Sequence, residues 1–347
     1  MMKYPEITIP PRSEHLWRYT PWKRIHPTKV AEMPKADPMN FSHGEAHEMQ
    51  DSQEIARAFI HSVSPICRKI SVNNDTQEVD LRCSGHICAG ELSIESKGHS
   101  NLVIRISGDA GWTGLRVTGS VSGTLSIAYI NDLASDAHFL RCEDWNVMRD
   151  STLEFATLSA GGFLNKSDIR FDLIEKGSEV RTGIASNGYG SRHDDHHLEI
   201  KHSVGYTGSS LVMHATCNDS AHSVGTGLLT IAEGADGSDA GQVFRNLLLS
   251  EKSRAEAIPE LEVLADDVKA AHGAASAPID VNQIHYLASR GLSTEEASAL
   301  IVEGFLMDAF REIKSKSVLS ALRTRLLVHL ECLMNGRCHE RGFPDFF

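Results

Sequence analysis

The chain has 347 residues, of which 41% are hydrophobic and 23% charged, and its 34 basic and 46 acidic side chains give a net charge of −12. These are the proportions of a folded globular protein, and the acidic balance disfavours a nucleic-acid-binding protein. No segment approaches the roughly 18 to 20 apolar residues of a membrane span, and the start of the chain lacks the apolar segment of a secretory signal. We therefore expect a cytoplasmic protein with no membrane partner. The seven cysteines favour reduced thiols over a disulfide framework.

Proline and glycine divide the chain into three zones. Eight of the 11 prolines lie in the first fifth of the sequence, whereas 22 of the 27 glycines lie between residues 61 and 279. That middle zone also holds 29 of the 46 acidic residues. Composition therefore predicts an N-terminal helical or irregular region at 1–66, a core at 67–279 and a C-terminal helical domain at 280–347. A helix near residues 45–61 is predicted in the first of these.

The middle zone has the pattern of short strands. Apolar and polar residues alternate with a period near two, and each segment ends in Gly, Asn, Asp or Ser. The clearest segments are 102–106, 114–117, 123–130, 151–155, 168–174, 197–200 and 228–231. Because no capped helical pattern of 12 or more residues lies between them, a doubly wound α/β fold is disfavoured. A sandwich, a barrel or a β-helix remains, and the length of the zone favours a solenoid, although no strict repeat is present.

The C-terminal zone has helical patterns. Ser293 and Glu296 have the spacing of a capping box, which predicts that a helix begins there. Apolar residues spaced three to four apart extend this helix to about residue 313, and a second helix is predicted at 318–334. A short helix is predicted around 281–289.

Six of the 18 histidines fall between residues 193 and 222, in the richest group of metal-ligating side chains in the sequence. The group comprises His193, His196, His197, His202, His214, His222, Asp194, Asp195, Cys217 and Asp219. Imidazole, thiolate and carboxylate bind zinc or iron, and on a strand His193 and Asp195 would share one face while Asp194 and His196 share the other. The spacing matches no closed Cys/His site. A solvated, His-rich sheet edge is therefore the favoured interpretation.

Two further arrangements of chemical interest are weaker. Asp194 and Asp195 are a conceivable carboxylate pair for sugar cleavage, but adjacent strand residues face opposite sides. Cys332 and the pair Cys338-His339 have no specific metal-binding spacing, and buried cysteines are common on helices. There is no GxxxxGK[ST] motif, so any ATP used with this protein is bound by another subunit.

Several segments in the same order resemble the SufB/SufD family, the scaffold subunits of the SUF iron-sulfur cluster assembly machine. The resemblance is strongest between about residues 180 and 312. Its segments are NLLLS at 246–250, PELEV at 259–263, DDVKAAHGA at 266–274 and YLASRGL at 286–292, with HLWRYT at 15–20 as an N-terminal match. The resemblance implies a right-handed parallel β-helix between an N-terminal helical region and a C-terminal helical domain. This agrees with the three zones of composition.

The resemblance also implies partners. It implies pairing with a SufB-like paralogue, or with a second copy of this chain, through the β-helices. It further implies that a SufC-like ABC ATPase docks on the C-terminal helical domain, and that the chain handles iron or an iron-sulfur cluster transiently without being an enzyme itself. No nucleic acid and no membrane is expected among the partners.

Within the family the chain is similar to SufD. SufB-like proteins have a cysteine shortly before the segment equivalent to 259–262, and none is present here. His272 matches the SufD histidine at the scaffold interface, and Gly273 and Ala274 beside it leave space for a metal or sulfide. From the local sequence alone, a structural histidine in a strand-end turn is the favoured interpretation of His272, and the resemblance makes the ligand role equally supported. Cys217 is a candidate thiolate partner, although a small buried core residue is its more common role.

The resemblance places the ATPase docking face near Arg290, Gly291, Leu292 and Phe305. The alternative is that the apolar side of the helix that begins at Ser293 packs against the chain's own solenoid. Both interpretations hold if the helix uses one side for each contact. Two other functions stay open: a β-helical carbohydrate-active enzyme, which the low aromatic content of 6% disfavours, and a structural adaptor that does not bind iron.

Overall fold

The structure is a computed structural model that describes residues 4–30 and 32–334. It is a parallel β-solenoid of about eight turns with helices towards both ends of the chain. The strands are β1 (Asp37–Pro38), β2 (Asn40–Phe41), β3 (Glu45–Ala46), β4 (Cys67–Asn73), β5 (Thr76–Cys83), β6 (Ile87–Gly108), β7 (Trp112–Leu133), β8 (His138–Val147), β9 (Thr152–Ser159), β10 (Leu164–Leu173), β11 (Glu179–Gly188), β12 (His193–His202), β13 (Gly208–Cys217), β14 (His222–Ile231), β15 (Asp239–Leu248), β16 (Arg254–Val263) and β17 (Lys269–Pro278). The helices are α1 (Trp22–Ile25), α2 (Ile55–Val63), α3 (Val281–Ala288), α4 (Thr294–Met307) and α5 (Lys316–Met334). The predicted parallel β-helix is confirmed.

The solenoid has two faces, because each strand from β8 onward pairs with the strand two places further along the chain. Strands β8, β10, β12, β14 and β16 form one face, which we call sheet A. Strands β9, β11, β13, β15 and β17 form the other, sheet B. The long strands β6 and β7 run through both faces, since β7 pairs first with β8 and then with β9. Each coil is thus one strand of sheet A and one of sheet B joined by turns.

Strand alternation separates an inner core from two outer ones. Inward residues such as Ile169 and Phe171 belong to one cluster that fills the solenoid. The outer face of sheet A is covered by the aromatic N-terminal region, including Trp22 and Phe59. The outer face of sheet B is covered by α4 and α5, with residues such as Leu322 buried against it. Both terminal regions therefore stabilise the solenoid by burying apolar surface.

The helix predicted near residues 45–61 is wrong in its first half. Glu45 and Ala46 form β3, which pairs antiparallel with β4, and the helix α2 begins only at Ile55. The stretch before Ile55 is polar and has no apolar face to bury, whereas all the apolar residues from Ile55 to Val63 are buried. Helix formation follows the buried apolar stripe.

The C-terminal helices follow the sequence prediction with one difference. Ser293 caps α4 in a complete capping box with Glu296, and the short helix α3 is present. However, α4 ends at Met307 and a 3₁₀ turn follows, whereas the sequence predicts a helix to about residue 313. The chain turns here because the backbone at Ala309 and the ring of Phe310 pack closely over Gly183, where a Cβ atom would lie 2.5 Å from the Ala309 carbonyl oxygen.

Among the described residues, no helix is long and apolar enough to cross a membrane.

Candidate functional site

The last coil of the solenoid has free strand edges. In the described part of the chain β16 pairs only with β14, and β17 only with β15. The side chains of β17 are almost all exposed, and those of β16 are half-buried or exposed. We call this region the open end. A ten-residue free edge is a ready template for pairing with another chain.

His272 lies on β17 at the open end. Its register partner on β15 is Gln242, which is buried inside the solenoid at 1% exposure. Register partners in parallel strands point to the same side, and the Asn246 side chain accordingly donates a 3.0 Å hydrogen bond to Ser276. His272 therefore lies on the inner face and is exposed because no further coil covers it.

The neighbours of His272 on the inner face of β17 are small. Ala270, Ala274 and Ser276 share this face with it by alternation. The imidazole is thus the largest side chain of that row, and the small residues leave it accessible. Directly below it, the Gln242 Oε1 atom is buried without a hydrogen-bond partner in the described part of the chain.

The backbone of β17 shows which groups are free. The Lys269 N–H donates to the Ser238 carbonyl at 2.9 Å, and the Ile279 N–H donates to the Leu248 carbonyl at 3.0 Å. Alternate residues of a parallel strand bond to the same neighbour, so the odd-numbered residues of β17 face β15. The even-numbered ones, His272 among them, present their N–H and C=O groups to the free edge.

The same reasoning applies to β16 and explains Pro259. The Arg254 N–H donates to the Ala221 carbonyl, so the even-numbered residues of β16 face β14. Pro259 is odd-numbered, and the N–H that proline lacks is one that would have pointed to the free edge. Proline within strands is confined to edges of this kind. The sequence signal for this edge is therefore a proline inside a strand pattern, which was not among the predictions.

The structure does not bring Cys217 and His272 together. Cys217 is register-paired through Leu248 to Pro278, so it lies two coils below β17 and six residues along the strand from His272, about 20 Å in that direction. Its side chain is fully buried, and burial, followed by the negative charge of Asp194, raises the pKa of its thiol to about 12. At neutral pH it is a protonated thiol in the solenoid core.

The histidine-rich segment is buried, so the favoured interpretation as a solvated sheet edge is wrong. His193, His196 and His197 are at most 4% exposed, and His202 and His214 are fully buried. The predicted alternation does hold: Asp194 and His196 face inward, whereas His193 and Asp195 face outward. Burial lowers the pKa of both His193 and His196 to about 4, so both are neutral at physiological pH.

The N-terminal region covers this segment, which sequence patterns did not show. The Thr20 hydroxyl hydrogen-bonds to His193 Nε2 at 3.0 Å, and the His15 ring lies against His197. His15 Nδ1 also lies 2.7 Å from a carboxylate oxygen of Glu260 on β16. The 15–20 segment, which carries part of the family resemblance, therefore lies along sheet A as far as the last coil.

The two adjacent aspartates are structural. Asp194 is paired with Arg192 inside the solenoid, with its oxygens also accepting from Asn165 and Ser186. Asp195 is paired on the outer face with Lys166 at 2.9 Å. Buried carboxylates on opposite faces, each neutralised by its own cation, cannot flank one glycosidic bond. This geometry gives no support to a carbohydrate-active site here.

No preformed metal site is present among residues 4–30 and 32–334, since no group of three or more His, Cys, Asp or Glu side chains in them is placed to hold an ion. Cys332 is half-buried on α5. Cys338 and His339 lie outside the described residues. Any ion bound by His272 therefore needs further ligands from another molecule or from a rearrangement.

The region predicted to dock an ATPase is exposed on one side and packed on the other. Arg290 and Gly291 are exposed and Leu292 is half-buried, in the turn between α3 and α4. Phe305 faces the solenoid, where its ring stacks on His214 and its carbonyl oxygen hydrogen-bonds to the same imidazole at 2.7 Å. Helices α3 and α4 together have one packed and one free side, which agrees both with packing on the solenoid and with a docking face for a partner.

The free side of α3 and α4 carries several exposed apolar residues. Helix α3 buries none of its residues, and Val281 and Tyr286 are each 58% exposed. Leu300 on α4 is 48% exposed, and a cavity of about 390 Å³ lies between Tyr286 and Ile301. Exposed apolar groups that adjoin one another mark an interaction surface more often than scattered ones do.

The fold is a parallel β-solenoid with one open end and with helices packed on the outer face of sheet B. Residues 113–305 match the family described as SUF system FeS cluster assembly, SufBD core domain. An iron-sulfur cluster assembly SufBD family protein of Mycobacterium tuberculosis is 25% identical over 93% of this chain and 89% of its own length. The SufD proteins of Bacillus subtilis and Escherichia coli are 33% and 25% identical, over 49% and 62% of this chain and 39% and 51% of their own lengths. The chain belongs to the SufB/SufD family and is SufD-like.

Proposed function

We propose that this chain is a non-catalytic scaffold subunit of a SUF iron-sulfur cluster assembly complex. Family membership supports this role, and the observation that carries it is the open end, with two free strand edges and an accessible histidine. In this proposal the three parts of the chain have separate tasks. The N-terminal region at 1–66 covers the solenoid, the core at 67–279 pairs with a partner, and the helical domain at 280–347 binds the ATPase.

The pairing partner is a SufB-like paralogue, or a second copy of this chain, that covers β16 and β17. A partner solenoid with its own open end would satisfy the free N–H and C=O groups and exclude water from the inner face. The same contact would bring the partner's side chains next to His272. Because the described residues hold no complete ligand set, the partner supplies the remaining ligands.

His272 acts in this proposal as one ligand of the nascent cluster, which is the cargo of the complex. A neutral imidazole binds iron, and the small residues beside it leave room for iron and sulfide. Cys217 is a second ligand candidate, but its buried, protonated thiol requires a rearrangement of the solenoid before it reaches a metal.

The ATPase docks on the free side of α3 and α4, around the turn at Arg290, Gly291 and Leu292. The apolar residues exposed beside this turn support the proposal. Phe305 connects the docking helices to the solenoid through His214, so a displacement of α4 by the ATPase would be transmitted to sheet B.

The test is an anaerobic purification of the tagged full chain from its native host, followed by identification of bound proteins and assay of iron and sulfide. We expect a SufC-like ATPase and a SufB-like paralogue or a second copy, together with iron. His272→Ala should retain the proteins and lose most of the iron, whereas His99→Ala, at an exposed histidine of β6, should change neither. Tyr286→Ser with Leu300→Ser should lose the ATPase alone.

Three outcomes would contradict parts of this proposal. Iron that is unchanged in His272→Ala would indicate an adaptor that does not bind iron through this residue, and a parallel Cys217→Ala variant would then test the second candidate. Retention of the ATPase by the Tyr286/Leu300 variant would refute the docking face. A chain that purifies alone, with neither ATPase nor iron, would refute the scaffold function.

A further inference from the structure

A cavity of about 590 Å³ lies on the outer face of sheet A, where the strands begin. Strand register determines one wall of the cavity. His193, His222 and Arg254 are the first residues of β12, β14 and β16, and His222 is the register partner of both others. They face outward together, and the rings of the two histidines lie 4.8 Å apart. Arg24 of α1 lines the cavity from the N-terminal region.

A second row of lining residues comes from the turns that precede these strands. Ser191, Ser220 and Lys252 each stand two residues before the strand residue of their coil, and all three line the cavity. The site therefore offers two hydroxyl groups in addition to its cations. Two different parts of the chain, the N-terminal region and three successive coils, converge on one volume.

The charge of the cavity is opposite to that of the whole chain. Arg24, Lys252 and Arg254 are exposed, and in the described part of the chain none of them forms an ion pair with a carboxylate. The acidic groups beside them are Glu251 in the lining and Glu256, whose carboxylate is hydrogen-bonded to His222. The lining therefore carries three cations against the single carboxylate of Glu251, which makes the local potential positive in a protein whose net charge is −12.

The buried imidazole at the base of the cavity is affected by this field. Burial first, and then the positive charge of Arg24, lower the pKa of His193 to about 4. His193 is therefore neutral, and it adds no charge to the three cations. Its Nε2 atom is engaged by Thr20, which fixes the ring against the cavity wall.

We propose that this basic cavity binds the phosphate group of a small phosphorylated molecule. Arginine and lysine are the usual phosphate ligands, and the serine hydroxyl groups add neutral donors. The volume lies within the range of roughly 300 to 1,000 Å³ typical of small-molecule sites and exceeds that of a bare phosphate ion, so the cavity has room for a ligand with a body beyond its phosphate. The proposal does not depend on the scaffold function, which stands or falls separately.

The experiment is isothermal titration calorimetry on the full chain at constant ionic strength, with inorganic phosphate, AMP and adenosine as probes. We expect AMP to bind, adenosine not to bind, and inorganic phosphate to compete with AMP. The double variant Lys252→Gln with Arg254→Gln should weaken binding by about tenfold or more, because two charge-assisted contacts are lost. Arg24→Gln, on a different element, should weaken it as well.

The matched control is Lys97→Gln with Lys201→Gln, which removes the same charge from exposed positions outside the cavity. Thermal unfolding checks that every variant is folded. Equal weakening in the control would indicate unspecific attraction and overturn the proposal, as would the absence of binding by both phosphate and AMP. Binding of phosphate and AMP with equal affinity would support an inorganic phosphate site and overturn the larger ligand.

Discussion

At the N-terminal end of the solenoid, β2 and β3 pair antiparallel with β5 and β4 and cover the first coil, whereas at the C-terminal end β16 and β17 have free edges. Met39, between β1 and β2, is fully buried beneath the first end, while Val263 at the end of β16 is 40% exposed. Solenoids need caps at both ends to remain soluble and unassociated. In the described part of the chain only the N-terminal end of the solenoid is capped, and the proposed partner would cap the other end.

The two ends differ in the chain segments that adjoin them. Before the first coil, the short strands β2 and β3 and the side chain of Met39 cover the end of the solenoid. After the last coil, the chain instead leaves the solenoid into α3, and α4 and α5 return along sheet B. The C-terminal helices thus cover a face and leave the end open.

The largest change in the free energy of unfolding is expected from a substitution at the capped end. Met39→Ala should lower the free energy of unfolding by about 2–4 kcal/mol, since it removes a fully buried side chain that packs over Gly90. Leu264→Ala, at a leucine that is 57% exposed beside the open end, should change it by less than about 0.5 kcal/mol. Urea denaturation of the isolated chain measures both. Equal losses would show that the open end is as well packed as the capped one.

A smaller effect is expected on the pH dependence of stability, because the histidines of the interior are buried whereas His272 is exposed. Burial lowers the pKa of His196 to about 4, against about 6.5 in the unfolded chain. The unfolded state therefore binds the proton first, so stability is full above pH 6.5 and falls as the pH drops towards 4, by up to about 3 kcal/mol for this group. His193 and His202, whose pKa values are also lowered to about 4, act in the same direction.

His196→Gln should flatten the pH dependence of stability between pH 6.5 and 4, and His272→Gln is the matched control. The measurement is urea denaturation at half-unit steps of pH. A control that flattens the curve equally would contradict the assignment to the interior. The Ser167 hydroxyl, which hydrogen-bonds to His196 at 2.7 Å, provides a partner for the glutamine amide.

Local signals predicted much of the fold, and long-range contacts account for what they missed. The capping box at Ser293 and the alternation around Asp194 depend only on neighbouring residues, and both were predicted correctly. The burial of His193 depends on Thr20, 173 residues away, and no local pattern records such a contact. The position of His272 at an open end likewise depends on which strand comes last, which alternation does not show.

The smallest effect on stability is expected for Ala274→Pro, a substitution at the free edge of β17. Ala274 and Ala275 are adjacent and both exposed on β17, but the parity of the backbone hydrogen bonds assigns the Ala275 N–H to β15 and the Ala274 N–H to the free edge. Ala275→Pro should destabilise the isolated chain by about 1–3 kcal/mol, because it removes a ladder hydrogen bond and leaves an acceptor unpaired. Ala274→Pro should leave the isolated chain nearly unchanged.

Association should reverse this order. If another solenoid pairs with the free edge, Ala274→Pro removes a donor from that contact and should weaken co-purification with the paralogue or self-association by roughly 2- to 10-fold. Both variants impose the same proline constraint on φ, so any strain from it largely cancels between them. The two residues differ in the direction of the N–H group and in the face of β17 that the side chain occupies, but both are alanines replaced by the same ring. Ala274→Pro that associates normally would mean that β17 is not a pairing edge, and that the partner contacts side chains alone.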